Sequence, residues 1–368
     1  MLLDGTGRVP FFVIGSHLVY TIDPTAISTG ELFRKPEYVT SNPSTMAGRD
    51  KVNPKEYLFR DVHPNILIGM ASDRYAGWVG QIYSADRYKN RITERILPVE
   101  SVREYFEHFS VLEIDYTFYR LLLDEKGNPT QNYHVLGEYK RHMKEGDLLI
   151  LKVPQVICAR KLRRGGKVVE NKDCLNPELF TKQFYSPAVD ILGPSLGGFI
   201  FEQEYHPKND RHSIDELAGL LDAFFTKIPK DTRYHFELRT EAYLVETVFE
   251  VLKKHGVGFV FSHWTWLPPL SKQFAKERGR FSNSGNSCLV CLITPLRMKY
   301  EDSYAKAFPF DKLINGMLDH RMIDDTVDLI TEALKREKKI AIIINNRAGG
   351  NAPIIAYEIV QKLLAKQI

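Results

Sequence analysis

Glu113, Lys152, Glu237 and Arg239 are the residues of this 368-residue chain whose types and positions point most directly to chemistry. Each closes a short β-rich run. In Leu112-Glu-Ile-Asp-Tyr-Thr-Phe-Tyr-Arg120, Glu113 and Asp115 are two apart and share one strand face, while Leu112 and Ile114 take the other. His235, Glu237 and Arg239 alternate in the same way with Tyr234, Phe236 and Leu238. Lys152 precedes Val153-Pro154, and Asn345 and Asn346 end the last run. The apolar set of each run should meet helices, which leaves the polar set to converge. Buried charges are costly unless paired or hydrogen-bonded. The converging set is therefore a salt-bridge network, with Lys152 and Arg239 neutralising Glu113 and Glu237, or a ligand site. As a ligand site, Glu113, Glu237 and Lys152 form the catalytic set, with either carboxyl group as general acid or base. Lys152 and Arg239 bind an anion, and Asn345 and Asn346 orient the substrate. A carboxylate beside cations stays ionised, which suits a base.

The elements that must position these residues follow from periodicity. Strands are predicted over 66–70, 111–115, 148–153, 198–203, 234–238, 257–261, 288–293 and 340–344. Amphipathic helices are predicted over 99–108, 133–144, 177–192, 213–227, 241–255, 302–336 (broken) and 352–366, with a short helix near 272–278. Asn176-Pro177 places Asn at a cap and Pro at the first helical position. Ser213-Ile-Asp-Glu216 is a capping box, and Lys253-Lys-His-Gly256 ends a helix with cations and glycine. Alternating β and α elements imply a parallel sheet with right-handed crossovers. Eight such units predict a closed α/β (β/α)8 TIM-type barrel, whose working face lies at the C-terminal strand ends. Residues 1–65 read as an irregular extension with strands near 11–14 and 17–22, and residues 66–368 as the barrel domain.

Composition narrows the class. Hydrophobic residues make up 43%, ample for a large core, and 50 basic against 46 acidic residues give +4, too balanced to mark a nucleic-acid binder. No apolar run reaches the roughly 20 residues of a membrane helix, and no secretion signal opens the chain, so a cytoplasmic protein with reduced thiols is expected. Cys288 and Cys291 are spaced as CxxC, but three residues along a strand they face opposite sides and read as buried thiols. Glu113, Glu202, Glu237 and His263 are hard donors without HxH or HExxH spacing, so the metal and any cofactor stay unknown. No GxSxG elbow marks a serine hydrolase. Arg160-Lys-Leu-Arg-Arg-Gly-Gly-Lys167 is a solvated basic loop or a lid that attracts anions. Tyr75, Trp78, Tyr83, Tyr116, Phe118, Tyr119, Trp264 and Trp266 pack, or stack on a sugar or base. Asn351-Ala-Pro353 opens the last helix, whose free N–H groups are a second candidate anion site.

The strand-end strings resemble the YecE-like family, domain of unknown function 72, from about Ile66 to the C-terminus. Glu113-Ile-Asp-Tyr-Thr-Phe-Tyr-Arg120 is similar to its VEIN-STFYR string, and Ile68-Gly-Met-Ala-Ser72 with Trp78 and Tyr83 to its opening IG-T-S and W…FY segments. Lys152-Val-Pro154, Leu192-Gly-Pro194 through Phe201, Phe236-Glu-Leu-Arg239 and Ile344-Asn-Asn346 resemble its K-x-P, LGP…LLFQLPP, VE-x-R-H and FNN segments. Ser72, Trp78, Tyr119 and Arg120 thereby join Arg239, Asn345 and Asn346 as candidate substrate-binding residues. The chain departs from the family at Glu202-Gln-Glu-Tyr205, in place of Gln-Leu-Pro-Pro, and at Cys291-Leu-Ile-Thr294, in place of R-L-H-G. Tyr243 stands for its later tryptophan. The resemblance implies a barrel and no settled activity. Two functions stay open. One is an enzyme, a hydrolase or isomerase, acting on an anionic sugar- or phosphate-containing substrate. The other is a non-enzymatic nucleic-acid or nucleotide binder.

Overall fold

The computed structural model describes Val9–Pro10, Thr21–Ile22 and residues 57–88, 96–165 and 167–366. Eight parallel strands close into a barrel in chain order. They are β1 (Ile66–Ala71), β2 (Val111–Ile114), β3 (Leu148–Lys152), β4 (Leu196–Glu202), β5 (Tyr234–Glu237), β6 (Gly258–His263), β7 (Ser287–Leu292) and β8 (Lys339–Ile344). The ring closes where β8 pairs with β1, from Ile340 opposite Ile66 to Ile344 opposite Met70. All eight strands fall where the apolar runs place them.

The helices follow in alternation: α1 (Val102–His108), α2 (Gln131–His142), α3 (residues 177–192), α4 (Ile214–Lys227), α5 (Glu246–Lys254), α6 (Leu270–Lys276), α7 (His320–Lys335) and α8 (Ala352–Ala365). Their starts obey the predicted caps. Asn176 accepts from the amides of Glu178 and Leu179, and Ser213 from that of Glu216. The break predicted within 302–336 is real, because a separate helix, Tyr300–Ala307, ends well before α7 begins at His320.

Period two sorts the strand residues into two layers. Val111, Ile150, Ile200, Val260, Leu289, Cys291 and Ile343 fill the barrel interior as one apolar cluster. Each fully buried aliphatic side chain of this kind contributes about 1.5–3 kcal/mol. The cluster fills the lumen up to the level where polar residues take over, so it forms the floor of the mouth. β1 and β2 approach so closely that a Cβ on Gly69 would collide with the carbonyl oxygen of Val111.

The described residues fall into two compact units, and the barrel belongs to one of them. The other contains the antiparallel pair Val9–Pro10 with Thr21–Ile22 and a hairpin of Lys161–Arg164 with Lys167–Glu170. The basic stretch read as a loop is thus a β-hairpin, with Lys161 and Glu170 paired at 3.6 Å. The strand expected over 11–14 lies outside the described residues. Among the described residues no helix is long and apolar enough to cross a membrane.

Gly69→Ala should lower stability by about 3 kcal/mol or more, since the clash is with backbone that cannot rotate away. Chemical denaturation checks this, and a neutral result would show that β1 and β2 can separate without cost.

Candidate active site

The side chains that follow the apolar floor meet at the C-terminal mouth. Glu113 ends the inward row of β2, Lys152 that of β3, Glu202 that of β4, Glu237 and Arg239 that of β5 and Ser262 that of β6. Register brings Glu202 directly opposite Glu237 across β4 and β5, and Ser262 opposite Cys291 across β6 and β7. Lys152 Nζ pairs with Glu202 Oε2 and lies 3.4 Å from Glu237 Oε2. Arg239 Nη2 reaches the same two oxygens, at 2.9 Å on Glu202 and 3.0 Å on Glu237. The Ser262 hydroxyl donates to Glu237 Oε1 at 2.5 Å. The Cys291 thiol lies 4.0 Å from Glu113 Oε2.

Two buried glutamines fix this geometry. Gln203 accepts the amide of Arg239 at 3.1 Å, and its own amide donates to the Glu237 carbonyl at 2.9 Å, which ties β4 to the end of β5. Gln273 accepts the Ser262 amide at 3.1 Å and donates to the Ser262 carbonyl at 2.8 Å. Thr117 donates to the Lys152 carbonyl at 2.7 Å. Neither glutamine's role is legible from the sequence, since each acts through a contact that only the fold creates.

The carboxyl groups in this mouth differ sharply. Burial pushes Glu113 up to about 7, although Lys152 opposes the shift, and Asp115, Glu237 and Glu202 push it further. Burial would also raise Glu237, but Arg239, Lys152 and the Ser262 hydroxyl outweigh it and hold this carboxyl below its ordinary range. Burial works against the charge of Lys152, yet Glu202, Glu113 and Glu237 together hold its pKa well above the ordinary value. The same mouth thus holds one carboxyl group that keeps its proton to about 7 and another that gives it up below the ordinary range. Glu237 is fully buried, whereas the Glu202 side chain keeps 20% of its surface exposed, so Glu202 is the carboxylate that faces an entering molecule.

Lys152 and Arg239 are both engaged by Glu202 and Glu237, two cations by two anions. The pair expected to receive an anion is therefore already neutralised within the cluster, an outcome the salt-bridge alternative anticipated in kind but with Glu202 in place of Glu113. Asn345 is buried and spends its side-chain oxygen on the Arg347 amide. Asn346 accepts from Trp78 Nε1 at 3.1 Å and from the Ala352 amide at 2.8 Å. Trp78 is fully buried between Tyr75 and Tyr83, so its ring supports the loop after β1 and does not face the mouth. Ser72 donates to Asp115 at 2.6 Å from a left-handed backbone position, φ 65°. Tyr119 packs edge-on against Phe118, and Arg120 is exposed, with its carbonyl accepting from Asn132. At the start of α8, the amides of Ala352 and Ile354 are taken by Asn346 and Asn351, which removes them from the anion site proposed there.

Among the described residues no group of three or more His, Cys, Asp or Glu is placed to hold a metal ion. His263 points out of the lumen, donates to the Thr294 carbonyl at 2.8 Å and faces Asp319 at 3.5 Å, so it cannot join Glu113, Glu202 and Glu237. Cys288 and Cys291 are free, buried thiols, and only Cys291 belongs to the interior cluster.

The family described as "Protein of unknown function DUF72" matches residues 67–368. The chain belongs to this family. A solved DUF72 family protein from Thermotoga maritima is similar at 16% identity and a TM-score of 0.52, covering 82% of this chain and 99% of that one. Another, from Enterococcus faecalis, has 14% identity and a TM-score of 0.49, with 81% and 95% covered. At 16% identity the likeness to the Thermotoga maritima protein speaks for the barrel alone. No curated protein matches the chain. Within this DUF72 member, the departures of β7 put Cys291 beside Glu113 and Ile293 into the interior apolar cluster.

The raised Glu113 carboxyl has a thermodynamic signature. The folded chain keeps that proton between pH 4.5, the ordinary value, and about 7. Wild-type stability relative to Glu113→Gln should be highest below the ordinary value and fall as pH rises through about 7, by up to roughly 3 kcal/mol. Urea denaturation of both proteins across that window checks it; a difference independent of pH would show that the carboxyl is not buried in this state. Lys152→Met should cost about 3–5 kcal/mol by leaving two carboxylates to one guanidinium, and adding Glu202→Gln should recover part of the loss. Thermal or chemical melts of the single and double variants measure both effects.

Proposed function

We propose that this chain is an enzyme that performs general acid–base chemistry on a small molecule held at the C-terminal mouth of the barrel, as a hydrolase or an isomerase. One observation carries the reading: a single mouth contains Glu113, whose carboxyl is raised to about 7, and the more exposed carboxylate Glu202, with Lys152 on the strand between them and paired with Glu202. Glu113 is the proton donor. Glu202 is the accessible carboxylate that accepts from substrate, and it is paired with both Lys152 and Arg239. Glu237, shut away behind Ser262, anchors both cations. A general acid with a pKa near the working pH contributes typically about 10²–10⁴-fold.

An anionic substrate is compatible with this arrangement only if it displaces Glu202 from Lys152 and Arg239. The neutral cluster therefore favours hydroxyl-bearing groups over phosphate. The nucleic-acid alternative, which rests on the basic stretch and the aromatic residues, draws no support from the charge-balanced cluster of the mouth.

Carbon-13 NMR titration of labelled glutamate, with Glu113 assigned from Glu113→Gln, should show a carboxyl midpoint near 7 that moves upward in Lys152→Met. A midpoint in the ordinary carboxylate range would remove the acid and end this reading. Turnover of aryl glycosides, or exchange of the proton beside a sugar carbonyl in heavy water, should fall at least about 10²-fold in Glu113→Gln and should decline above about pH 7 in the wild type.

A further inference from the structure

One wall of the mouth is aromatic. Tyr205 follows β4, and Trp264 and Trp266 follow β6. Trp264 is half-buried against the interior cluster, and the Arg239 guanidinium lies 4.9 Å from the centre of its ring. Tyr205 sits 6.1 Å from Trp264 and 5.9 Å from Trp266, with the planes of Tyr205 and Trp266 only 34° apart. Tyr205 is 46% exposed and Trp266 44%. Rings of this size normally bury most of their surface. Here two stand in solvent side by side, and through Trp264 they are continuous with the acid–base cluster.

A second observation comes from beneath the rings. Arg239 is 6% exposed, and its Nε–H has no acceptor among the described residues although both carboxylates engage the far end of the guanidinium. A buried donor left without an acceptor costs about 1–3 kcal/mol. An oxygen brought by a ligand relieves that cost.

Charge selects the class of ligand. A phosphate or carboxylate arriving here meets cations that are already paired and the exposed oxygen of Glu202. A hydroxyl meets partners of both kinds, since it donates to Glu202 and accepts from Arg239. The C–H face of a pyranose ring is apolar and flat enough to lie on an aromatic ring, while its rim carries hydroxyls. We propose that Tyr205, Trp264 and Trp266 form a subsite for the apolar face of an uncharged sugar ring, whose hydroxyls are held by Arg239 and Glu202. This rests on the reading of the mouth as the working site and adds its ligand class.

The three tryptophans give three indole N–H signals, which report binding in the full-length protein by NMR. Titration with neutral xylo-, cello- and chito-oligosaccharides should shift the Trp264 and Trp266 signals saturably with at least one of them and leave that of buried Trp78 in place. Trp266→Ala, at an exposed position that folding tolerates, should weaken that binding at least about tenfold, and Trp266→Tyr should restore part of it. Glucose phosphate and adenosine monophosphate serve as charged probes. Binding confined to these, weakening steeply with salt, would overturn the proposal. So would the absence of any shift with neutral sugars, or an unchanged affinity in Trp266→Ala. If sugars fail while the Glu113 carboxyl still titrates near 7, the subsite alone is wrong; if sugars bind while Glu113 titrates normally, the acid–base reading falls and the subsite stands.

Discussion

Lys152 carries its charge where water scarcely reaches, on a strand whose inward row is otherwise aliphatic. An ammonium in such a place is stable only with anions at contact distance. Glu202 and Glu237 supply them from the next two strands, and Arg239 shares the same oxygens. β3, β4 and β5 are neighbours in the sheet and bring its four members together, with a register shift between Leu149 and Ile150 where β3 meets β4. Its charges cancel. Glu113, on the other side of Lys152, has no cation to itself, so burial decides its protonation and leaves it an acid.

The strand-seven departures from the family pattern bear on that outcome. The resemblance places an arginine and a histidine in the R-L-H-G string where this chain has Cys291 and Ile293. A cation at position 291 would sit against the Glu113 carboxyl, since the Cys291 thiol now lies 4.0 Å from it. An opposite charge at that range favours the ionised form. A thiol and an aliphatic side chain withdraw this support. Without it, burial holds the Glu113 carboxyl up to about 7, and the interior cluster accommodates both Cys291 and Ile293.

Much of this was legible from the residues alone. Apolar runs of strand length, each followed by an amphipathic stretch, placed all eight strands, and period two put Glu113, Lys152, Glu237 and Arg239 on the inward face. Pairing across strands was not legible, because it depends on the stagger between neighbours. Glu202 therefore reads as a candidate hard donor and as part of a departure from a family string, although with Glu237 it pairs with both cations. Gln203 and Gln273, which hold Arg239 and Ser262, look like any polar residues of a loop or helix. Trp78 and Asn346 read as ligand contacts through their resemblance to family positions, yet the Trp78 indole N–H is spent on the Asn346 side-chain oxygen. Tyr205 reads only as part of a departure from the family string, because its nearness to Trp264 and Trp266, which follow a different strand, depends on the fold.

The bond between Trp78 and Asn346 joins residues 268 positions apart. Beside it, Gln81 donates to the Asp311 carbonyl and accepts from Asn351, so the first loop of the barrel is fastened to the last. These links stitch the β8–β1 seam on its outer side. Contacts of such separation form only after the entropy of a very long loop has been given up. The seam must then be a late event in folding, and on a nascent chain Trp78 and Gln81 should lack these partners until α8 has been made.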